Sequence, residues 1–546
     1  MVDANKVALD ASSSDSFHED DKVFHKLGVA ELGAQFDFDK EFNDIEILAQ
    51  QAKRESTFWQ KVKNFEFEIN FKNKTYMIYL LGCFASAAGL LSGLDQSIIS
   101  GASIGMGPAL HLSSHQASLV SSLMPLGAMT GSILMTPLNE YFGRKKSIMI
   151  SCVWYTIGAA ISAGAHNYHV MYAGRFILGV GVGIEGGCVG IYIAESVPAK
   201  VRGNIVSMYQ FNIAVGEVLG YAVAAMFYEV HGGWRFMIGS SLLFSTVLFF
   251  AISFLPESPR FLIHKGKLGE AYNVWKRLRD VDEYDSKLEF LEMRQAGIEE
   301  QERKASENYL QVWLDLFTIP RNRRSLVYAV IMISLGQLTG VNAVMYYMST
   351  LMAKIGFDTK NSVFMSLVGG GSLMLGSIPA ILWMDRFGRR TWAMNIVGFF
   401  IGLVLVGVGY RINIKTNLAA AEGVYLTGII LYMGFFGSYA CLTWVLPSEA
   451  FSMSKRSVGM TISSAFLYLW SFTVTYNFTR MQNAMTYTGL SLGFYGGIAF
   501  LGFIYQIFLM PETKDKTLEE IDDIFEKKTI EIAKENIRNM KRFWRI

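Results

Sequence analysis

The stretch Glu140-Tyr-Phe-Gly-Arg-Lys145 follows an apolar segment and returns after a later one as Asp385-Arg-Phe-Gly-Arg-Arg390. Two more pairs of motifs repeat about 250 residues apart, each in the same order along the chain. They are Glu195…Arg202 with Glu449…Arg456, and Pro256-Glu-Ser with Pro511-Glu-Thr. Three motifs repeated in one order at nearly one period indicate an internal duplication. We therefore expect two structurally related halves.

The composition places these halves in a membrane. Of the 546 residues, 51% are hydrophobic and 18% are charged, below the charged fraction of about 25% that is typical of soluble domains. Crossing a bilayer takes about 20 apolar residues. Twelve segments qualify, near residues 77–103, 115–137, 147–165, 170–194, 205–229, 236–255, 325–351, 361–384, 392–410, 422–446, 457–479 and 488–510. The predicted fold class is an all-α membrane protein with twelve transmembrane helices in two six-helix pseudo-repeats.

Charged residues outside these segments define the predicted domains. They are a cytosolic N-terminal segment (1–75), a first six-helix bundle (76–256), a cytosolic helical linker (257–324), a second bundle (325–511) and a cytosolic tail (512–546). Basic loops such as Arg144-Lys145-Lys146 and Lys455-Arg456 alternate with loops of little positive charge. Because cytosolic loops are enriched in Lys and Arg, both termini are predicted to be cytosolic, with the plasma membrane as the location. A capping-box pattern, Thr517-Leu-Glu-Glu520, predicts a helix in the tail.

Several motifs together resemble the sugar porter family of the major facilitator superfamily. They include Gly174-Arg175, Pro256-Glu-Ser-Pro-Arg260, Gln337-Leu-Thr-Gly-Val-Asn342, Tyr346-Tyr347 and Pro511-Glu-Thr-Lys514, with the repeats above. The finer resemblance is to fungal proton-coupled hexose porters of the fructose–proton symporter kind. It implies the major facilitator fold and hexose–proton symport by alternating access. The implied partners are a sugar, a proton and the lipid bilayer. No cofactor is expected, and the protein is expected to be a monomer.

Asp95 is the only acidic residue between Met77 and Leu110, a stretch that also holds no Lys or Arg. A carboxylate at bilayer depth costs roughly 2.5–3.5 kcal/mol on insertion scales, so such residues are commonly functional. The resemblance implies that Asp95 binds the coupled proton and faces Arg175. The alternative is a pair that only holds two helices together. Glu217, a further carboxyl at membrane depth, stands where many members carry a sugar-binding glutamine; it binds sugar hydroxyls or joins the proton traffic.

The sugar site is expected to offer hydrogen-bonding groups for hydroxyls and aromatic faces for C–H surfaces. The resemblance implies six residues at this site: Gln210, Gln337, Asn342, Tyr346, Tyr347 and Trp444. Hydrogen bonds between helices or plain packing are the alternative roles. Departures from the family pattern at Gly190, Gly336, Leu373 and Tyr468, together with Glu217, favour a ligand other than glucose, such as fructose or a polyol.

The repeated charged residues resemble the family's gating network at the inner face. This set comprises Glu140, Arg144, Glu195, Arg202, Asp385, Arg389, Glu449 and Arg456. Opposite charges at helix ends can join when the cytosolic side is shut and separate when it opens, which gives the two states different contacts. The alternative is ordinary topology with surface pairs worth under about 1 kcal/mol each.

Other function classes find little support in the sequence. The four cysteines have no metal-binding spacing, there is no phosphate-binding loop, and no basic stripe indicates nucleic acid. The chain has no catalytic constellation, so we predict no enzyme and no metal site. The open alternatives are a proton-independent facilitator, a polyol porter of the same fold, and a sugar sensor, which the short tail disfavours.

Overall fold

The computed structural model describes residues 38–55, 74–279, 284–306, 309–452, 455–514, 516 and 518–543. Within these ranges the secondary structure is helical, without strands. Eleven helices are long and apolar enough to cross a membrane. The last, Arg456–Phe508, has 53 residues and is interrupted at Thr486, whose φ of 66° is not helical. Because about 20 residues suffice for one crossing, it contains two spans, and the predicted twelve-span fold class is confirmed.

The spans are numbered in chain order. The first half contains span 1 (Lys74–Ser86 and Gly89–Ala109), span 2 (Ser114–Phe142), span 3 (Arg144–Ala163), span 4 (Tyr168–Ser196), span 5 (Ala199–Phe227) and span 6 (Gly233–Ser253). The second contains span 7 (Pro320–Leu338, Val341–Tyr346 and Met348–Ile355), span 8 (Thr359–Phe387), span 9 (Arg389–Ala393 and Ile396–Gly409), span 10 (Leu418–Ala440 and Leu442–Ala450), span 11 (the part of Arg456–Thr488 before the interruption) and span 12 (a π-helix, Gly489–Tyr495, then Gly496–Phe508).

Packing between the spans follows the duplication. Within the first half, span 4 packs on spans 2 and 3, and span 1 packs on span 5; within the second, span 10 packs on spans 8 and 9. The halves meet where span 2 packs on span 11 and span 5 packs on span 8, two contacts that the duplication relates. Small residues permit close helix contact in membranes: a Cβ at Gly93 would lie 1.9 Å from the Ile213 carbonyl oxygen.

Spans 7 and 10 are broken near their middles, which the sequence analysis does not foresee. Span 7 stops at Leu338 and restarts after Gly340, whose φ of 90° lies in the left-handed region that favours glycine. Span 10 is interrupted at Cys441. A break leaves backbone carbonyls without helical partners, which must be satisfied within the protein. The Tyr432 hydroxyl accordingly donates to the Thr339 carbonyl at 2.9 Å.

The other described helices lie outside the membrane spans. They are Phe38–Glu55, Pro259–His264, Leu268–Leu278, Tyr284–Ser306, Tyr309–Thr318, Leu518–Glu526 and Thr529–Phe543. The first of them lies on Leu268–Leu278, where Asn273 donates to the Ala49 carbonyl at 2.9 Å and Lys276 pairs with Glu46 at 2.7 Å. This hydrogen-bonded ammonium lowers the pKa of Glu46. Thr517, the first residue of the predicted capping box, lies outside the described residues.

Candidate functional site

Asp95 and Arg175 form an ion pair in the interior of the first half. Their exposed fractions are 3% and 1%, and Arg175 Nη1 donates to Asp95 Oδ1. The guanidinium also donates from Nε to the Val120 carbonyl at 3.1 Å, so it joins spans 1, 2 and 4. Asp95 Oδ2 and Arg175 Nη2 are buried without a hydrogen-bond partner among the described residues. The pair is therefore incompletely satisfied, and a change in the charge of Asp95 would alter the contact between three spans.

A polar cavity of about 60 Å³ lies between the two halves. Its lining includes six residues predicted for binding or coupling: Gln210, Glu217, Gln337, Asn342, Tyr346 and Trp444. Ser92, Gln96, Thr443, Tyr468 and Ser471 add further polar groups to the wall. Glu217 is 2% exposed and supplies the only carboxyl group among the described lining residues. Such a wall can donate to and accept from several hydroxyl groups of one small ligand.

Hydrogen bonds between cavity residues connect the halves. Trp444 Nε1 on span 10 donates to Gln210 Oε1 on span 5 at 3.1 Å. Asn342 Nδ2 donates to Gln337 Oε1 across the break in span 7. The Tyr209 ring meets the Trp444 indole edge-on, with 5.3 Å between centroids. Because these groups bond to one another, a ligand would have to replace their mutual contacts with its own.

Tyr347 is the one predicted sugar-site residue that does not line this cavity. Its ring stacks on Phe478 with centroids 5.1 Å apart, and its hydroxyl is buried without a hydrogen-bond partner among the described residues. Its neighbour Tyr346 faces the cavity and donates to Met124 Sδ in the other half at 3.4 Å. A sugar-binding role for Tyr347 stays a prediction.

The first half carries a charged cluster at the face that the basic loops predict to be cytosolic, called the inner face here. Arg144, at the start of span 3, pairs with Glu195 near the end of span 4 at 2.7 Å, and Ser258 donates to the second oxygen of Glu195. Glu257 accepts hydrogen bonds from the backbone N–H groups of Arg144 and Lys145 at 2.9 and 3.1 Å. Burial raises the pKa of Glu257, although these backbone donors act in the opposite direction.

The second half repeats this cluster residue by residue. Arg389 pairs with Glu449 at 2.8 Å, and Thr513 donates to the other oxygen of Glu449 at 2.9 Å. Glu512 accepts from the backbone of Arg389 and Arg390 at 2.9 and 3.0 Å. The hydrogen bonds and ion pairs given above for both clusters connect spans within one half. Their separation when the inner side opens stays a prediction.

The remaining predicted gating residues are placed less completely. Glu140 is exposed on the last turn of span 2, and Arg456 begins the helix of span 11. Arg202 and Asp385 lie in spans 5 and 8, and the positions of their side chains are outside what the structure describes. Their gating roles stay predictions.

Sequence reasoning missed several residues of these sites. Glu257 and Glu512 belong to a repeated motif whose role as acceptor for a helix start was not recognised; the repetition itself was the available signal. Glu185 was overlooked altogether, although it is the only acidic residue of span 4 before Glu195. It is 1% exposed and accepts a hydrogen bond from the Tyr209 hydroxyl at 3.4 Å.

The halves also touch on both sides of the cavity. Toward the inner face, the hydroxyls of Thr136 and Thr461 are 2.6 Å apart. Toward the outer face, His115 Nε2 lies 2.9 Å from the Tyr476 hydroxyl, and Ser100 accepts from the Ser349 backbone at 3.1 Å. Among the described residues, these contacts hold the halves together on each side of the cavity, so we expect a ligand to enter where one set of them separates.

Comparison with known proteins identifies the family. The family model described as "Sugar (and other) transporter" matches residues 56–525. The chain belongs to the sugar porter family of the major facilitator superfamily. It is thus a multi-pass membrane transporter and not an enzyme, which confirms the resemblance read from the motifs.

Relatives differ in what their names say they carry. The chain is 59% identical over 478 residues to "Myo-inositol transporter FST1" of Gibberella moniliformis, covering 87% of this chain and 83% of that protein. It is 30% identical to the "Galactose-proton symporter" of Escherichia coli, covering 81% and 93%. The structure of the proton:xylose symporter XylE of E. coli superimposes with a TM-score of 0.71 at 24% identity, covering 83% of this chain and 100% of that one; this likeness concerns the fold alone.

Proposed function

We propose that this sugar porter carries a cyclic polyol of the myo-inositol type together with a proton. Transport occurs by alternating access, in which movement of the two halves opens the cavity first to one side of the membrane and then to the other. The observation that carries the proposal is the buried Asp95–Arg175 pair beside a polar cavity between the halves. A relative named as a myo-inositol transporter and another named as a proton symporter support the choice of solute and of coupling.

The coupling follows from the cost of burying charge. A buried pair is stable only while both charges are present, because removal of one leaves the other uncompensated. Protonation of Asp95 would leave Arg175 with only the Val120 carbonyl among the partners described above. The first half would then favour a different arrangement of spans 1, 2 and 4. An equilibrium between two conformations shifts in this way when a ligand, here a proton, binds them unequally.

The choice of solute rests on Glu217. A carboxyl group accepts hydrogen bonds and, when protonated, also donates one. A cyclitol offers hydroxyl donors and acceptors around its ring, so two adjacent hydroxyls can hydrogen-bond to one carboxyl group while Gln210, Gln337 and Asn342 serve the others. The lone carboxyl of the described lining distinguishes this wall from one made of amides only.

The sequence analysis predicts a fructose-like hexose and keeps a polyol as an alternative. The 59% identical relative favours the polyol. We further propose that the transporter acts as a monomer in the plasma membrane with both termini in the cytosol, as the alternation of basic loops predicts.

The test is uptake of labelled myo-inositol, sorbitol, fructose, glucose and xylose in cells that lack their own porters, with the external pH recorded. We expect accumulation of myo-inositol above its external concentration and alkalinisation of the medium when it is added. Uptake of fructose but not of myo-inositol would replace the proposed solute. Uptake without any alkalinisation would show a facilitator, and no uptake of any member, with normal surface expression, would favour a sensor.

A further inference from the structure

We propose that Glu185 is a second proton-binding site, beneath the substrate cavity, and that it must be neutral for the inner side of the transporter to shut. This inference requires only alternating access; it does not depend on the identity of the solute or on proton coupling through Asp95. It concerns a residue that the predicted coupling and binding sites do not include.

The position of Glu185 is on the inner side of the cavity. Span 4 runs from the outer face at Tyr168 to the inner face at Ser196, with Arg175, Glu185 and Glu195 at ten-residue intervals. At 1.5 Å per residue, Glu185 lies about 15 Å along the axis from the residue that pairs with Asp95, and equally far from the inner charged cluster. It is therefore separate from both.

Among the described residues, no cation contacts Glu185. Its hydrogen-bond partner is the Tyr209 hydroxyl of span 5, at 3.4 Å. The other ionisable groups whose fields reach it are Cys152 and Tyr155 on span 3 and Tyr468 on span 11. Each of them is neutral or negative, never positive. No ion pair to Glu185 occurs among the described residues, whereas Asp95 and Glu195 each have an arginine.

Burial without a cation decides the charge state of this carboxyl. A single ionised carboxylate in a protein interior is so costly that the group takes up a proton instead. One long hydrogen bond from a hydroxyl cannot offset that cost. The closed arrangement in the structure thus requires the neutral acid, and the ionised form requires water.

Water can reach Glu185 only if its cover moves. Tyr209, which donates to Glu185, packs edge-on against Trp444 of the opposite half, 5.3 Å between centroids. A Cβ at Gly186 would lie 2.6 Å from the Tyr468 hydroxyl and 3.5 Å from the Trp444 ring, so span 4 also meets spans 10 and 11 directly here. Separation of the halves on the inner side would uncover Glu185 and let its proton pass to cytosolic water. Closure of the inner side would require Glu185 to bind a proton again.

The experiment measures equilibrium exchange of labelled myo-inositol in proteoliposomes between mildly acidic and mildly alkaline pH, equal on both sides. If the wild type does not carry myo-inositol, the panel member that it does carry replaces it. The carrier is Asp95→Asn, which removes titration of Asp95, with and without Glu185→Gln. We expect exchange by Asp95→Asn to fall with rising pH, reaching about tenfold per pH unit, as a single required proton dictates. Glu185→Gln, which is always neutral, should abolish the fall.

Three further variants keep the proposal falsifiable. Glu185→Asp retains a carboxyl and should retain the fall, whereas Tyr209→Phe removes only the hydroxyl and should retain it as well. Glu229→Gln removes an exposed carboxyl near the end of span 5 and should leave the profile of Asp95→Asn unchanged. A fall that persists in the Glu185→Gln carrier, or a flat profile in Asp95→Asn alone, would overturn the inference. Loss of the fall in Tyr209→Phe would assign it to the tyrosine instead.

The outcome is separable from that of the proposed function. A wild type that carries solute without proton uptake disproves coupling but leaves the role of Glu185 open to the same exchange assay. A wild type that couples normally, with no effect of Glu185→Gln on the pH profile, disproves only the inference.

Discussion

Asp95 is held in the interior by one arginine, and its replacement separates coupling from transport. Asp95→Asn keeps the size of the side chain and removes its titratable proton. We expect accumulation above the external concentration to disappear, while exchange of labelled for unlabelled solute is retained at a reduced rate, because the cavity residues are untouched. Uphill uptake and counterflow in the same cells measure the two activities.

A matched control for this variant is Asp358→Asn, which changes an exposed aspartate at the start of span 8. It should accumulate solute as the wild type does. If Asp95→Asn also accumulates solute against its gradient, Asp95 has no part in coupling.

Glu217 is expected to select the solute. Glu217→Gln exchanges one acceptor oxygen for an amide donor while preserving the volume of the side chain. We expect relative competition by aldohexoses to rise and that by myo-inositol to fall, roughly severalfold for the loss of one hydrogen bond. Inhibition constants of the solute panel provide the measurement. An unchanged order of competition among the solutes would remove Glu217 from recognition.

Residues of the site were predictable where they stand out chemically. Asp95, Arg175 and Glu217 are ionisable residues in apolar segments, and the motifs added the amides and aromatic residues that line the cavity. Glu185 was equally visible by this criterion, and only the structure made its lack of a cation apparent. The sequence could not show that Tyr347 stacks on Phe478 outside the cavity lining, because a motif does not tell which way each of two adjacent side chains faces.

At the scale of single elements, the break in span 7 depends on Gly340. An L residue in the left-handed region costs about 1–2 kcal/mol, and a Cβ here would also lie 2.5 Å from the Tyr495 ring of span 12. Gly340→Ala should therefore lower the thermal unfolding temperature and reduce transport. Unfolding in detergent, followed by the fluorescence of buried tryptophans, measures the first effect and initial uptake rates the second.

Gly371→Ala is the matched control, since this glycine of span 8 is helical and a Cβ there would have nothing within 4 Å. That variant should keep the stability and the uptake rate of the wild type. Equal stabilities for the two alanine variants would show that the break does not require glycine.

The ends of the spans were predictable from hydropathy, and their breaks were not. A helix that stops at Leu338 and restarts at Val341 has the same apolar content as a continuous one. Besides Gly340, the break involves long-range partners, such as the Tyr432 hydroxyl on the Thr339 carbonyl. The interruption at Thr486, by contrast, falls between the predicted segments 457–479 and 488–510.

For the molecule as a whole, the contact between Thr136 and Thr461 helps to keep the inner side shut. Thr136→Val with Thr461→Val removes both hydroxyls at nearly constant volume. A hydrogen bond contributes about 0.5–1.5 kcal/mol net, so the balance should shift severalfold toward the inward-open form. We expect the KM for uptake from outside to rise by a similar factor.

Thr461→Ser retains the hydroxyl and should retain the KM of the wild type. A double valine variant whose KM equals that of the wild type would show that this contact does not influence the conformational balance.

The overall architecture could be predicted because the duplication repeats short charged motifs at one spacing. The sequence could not show which arginine pairs with which glutamate, because a spacing along the chain does not tell which span a side chain faces. The pairing of Arg144 with Glu195 and of Arg389 with Glu449 required the packed structure.

Two tyrosine hydroxyls of span 10 couple the movements of spans 7 and 10. The Tyr432 and Tyr439 hydroxyls donate to the carbonyls of Thr339, at the break in span 7, and of Met332, earlier in the same span. These hydrogen bonds join spans 7 and 10, and we expect neither span to bend alone. Bending of span 7 as the cavity opens would move span 10 with it and break the hydrogen bond between Trp444 and Gln210. Spin labels on spans 7 and 10 should show correlated movements. A carrier with Tyr432→Phe and Tyr439→Phe should lose this correlation.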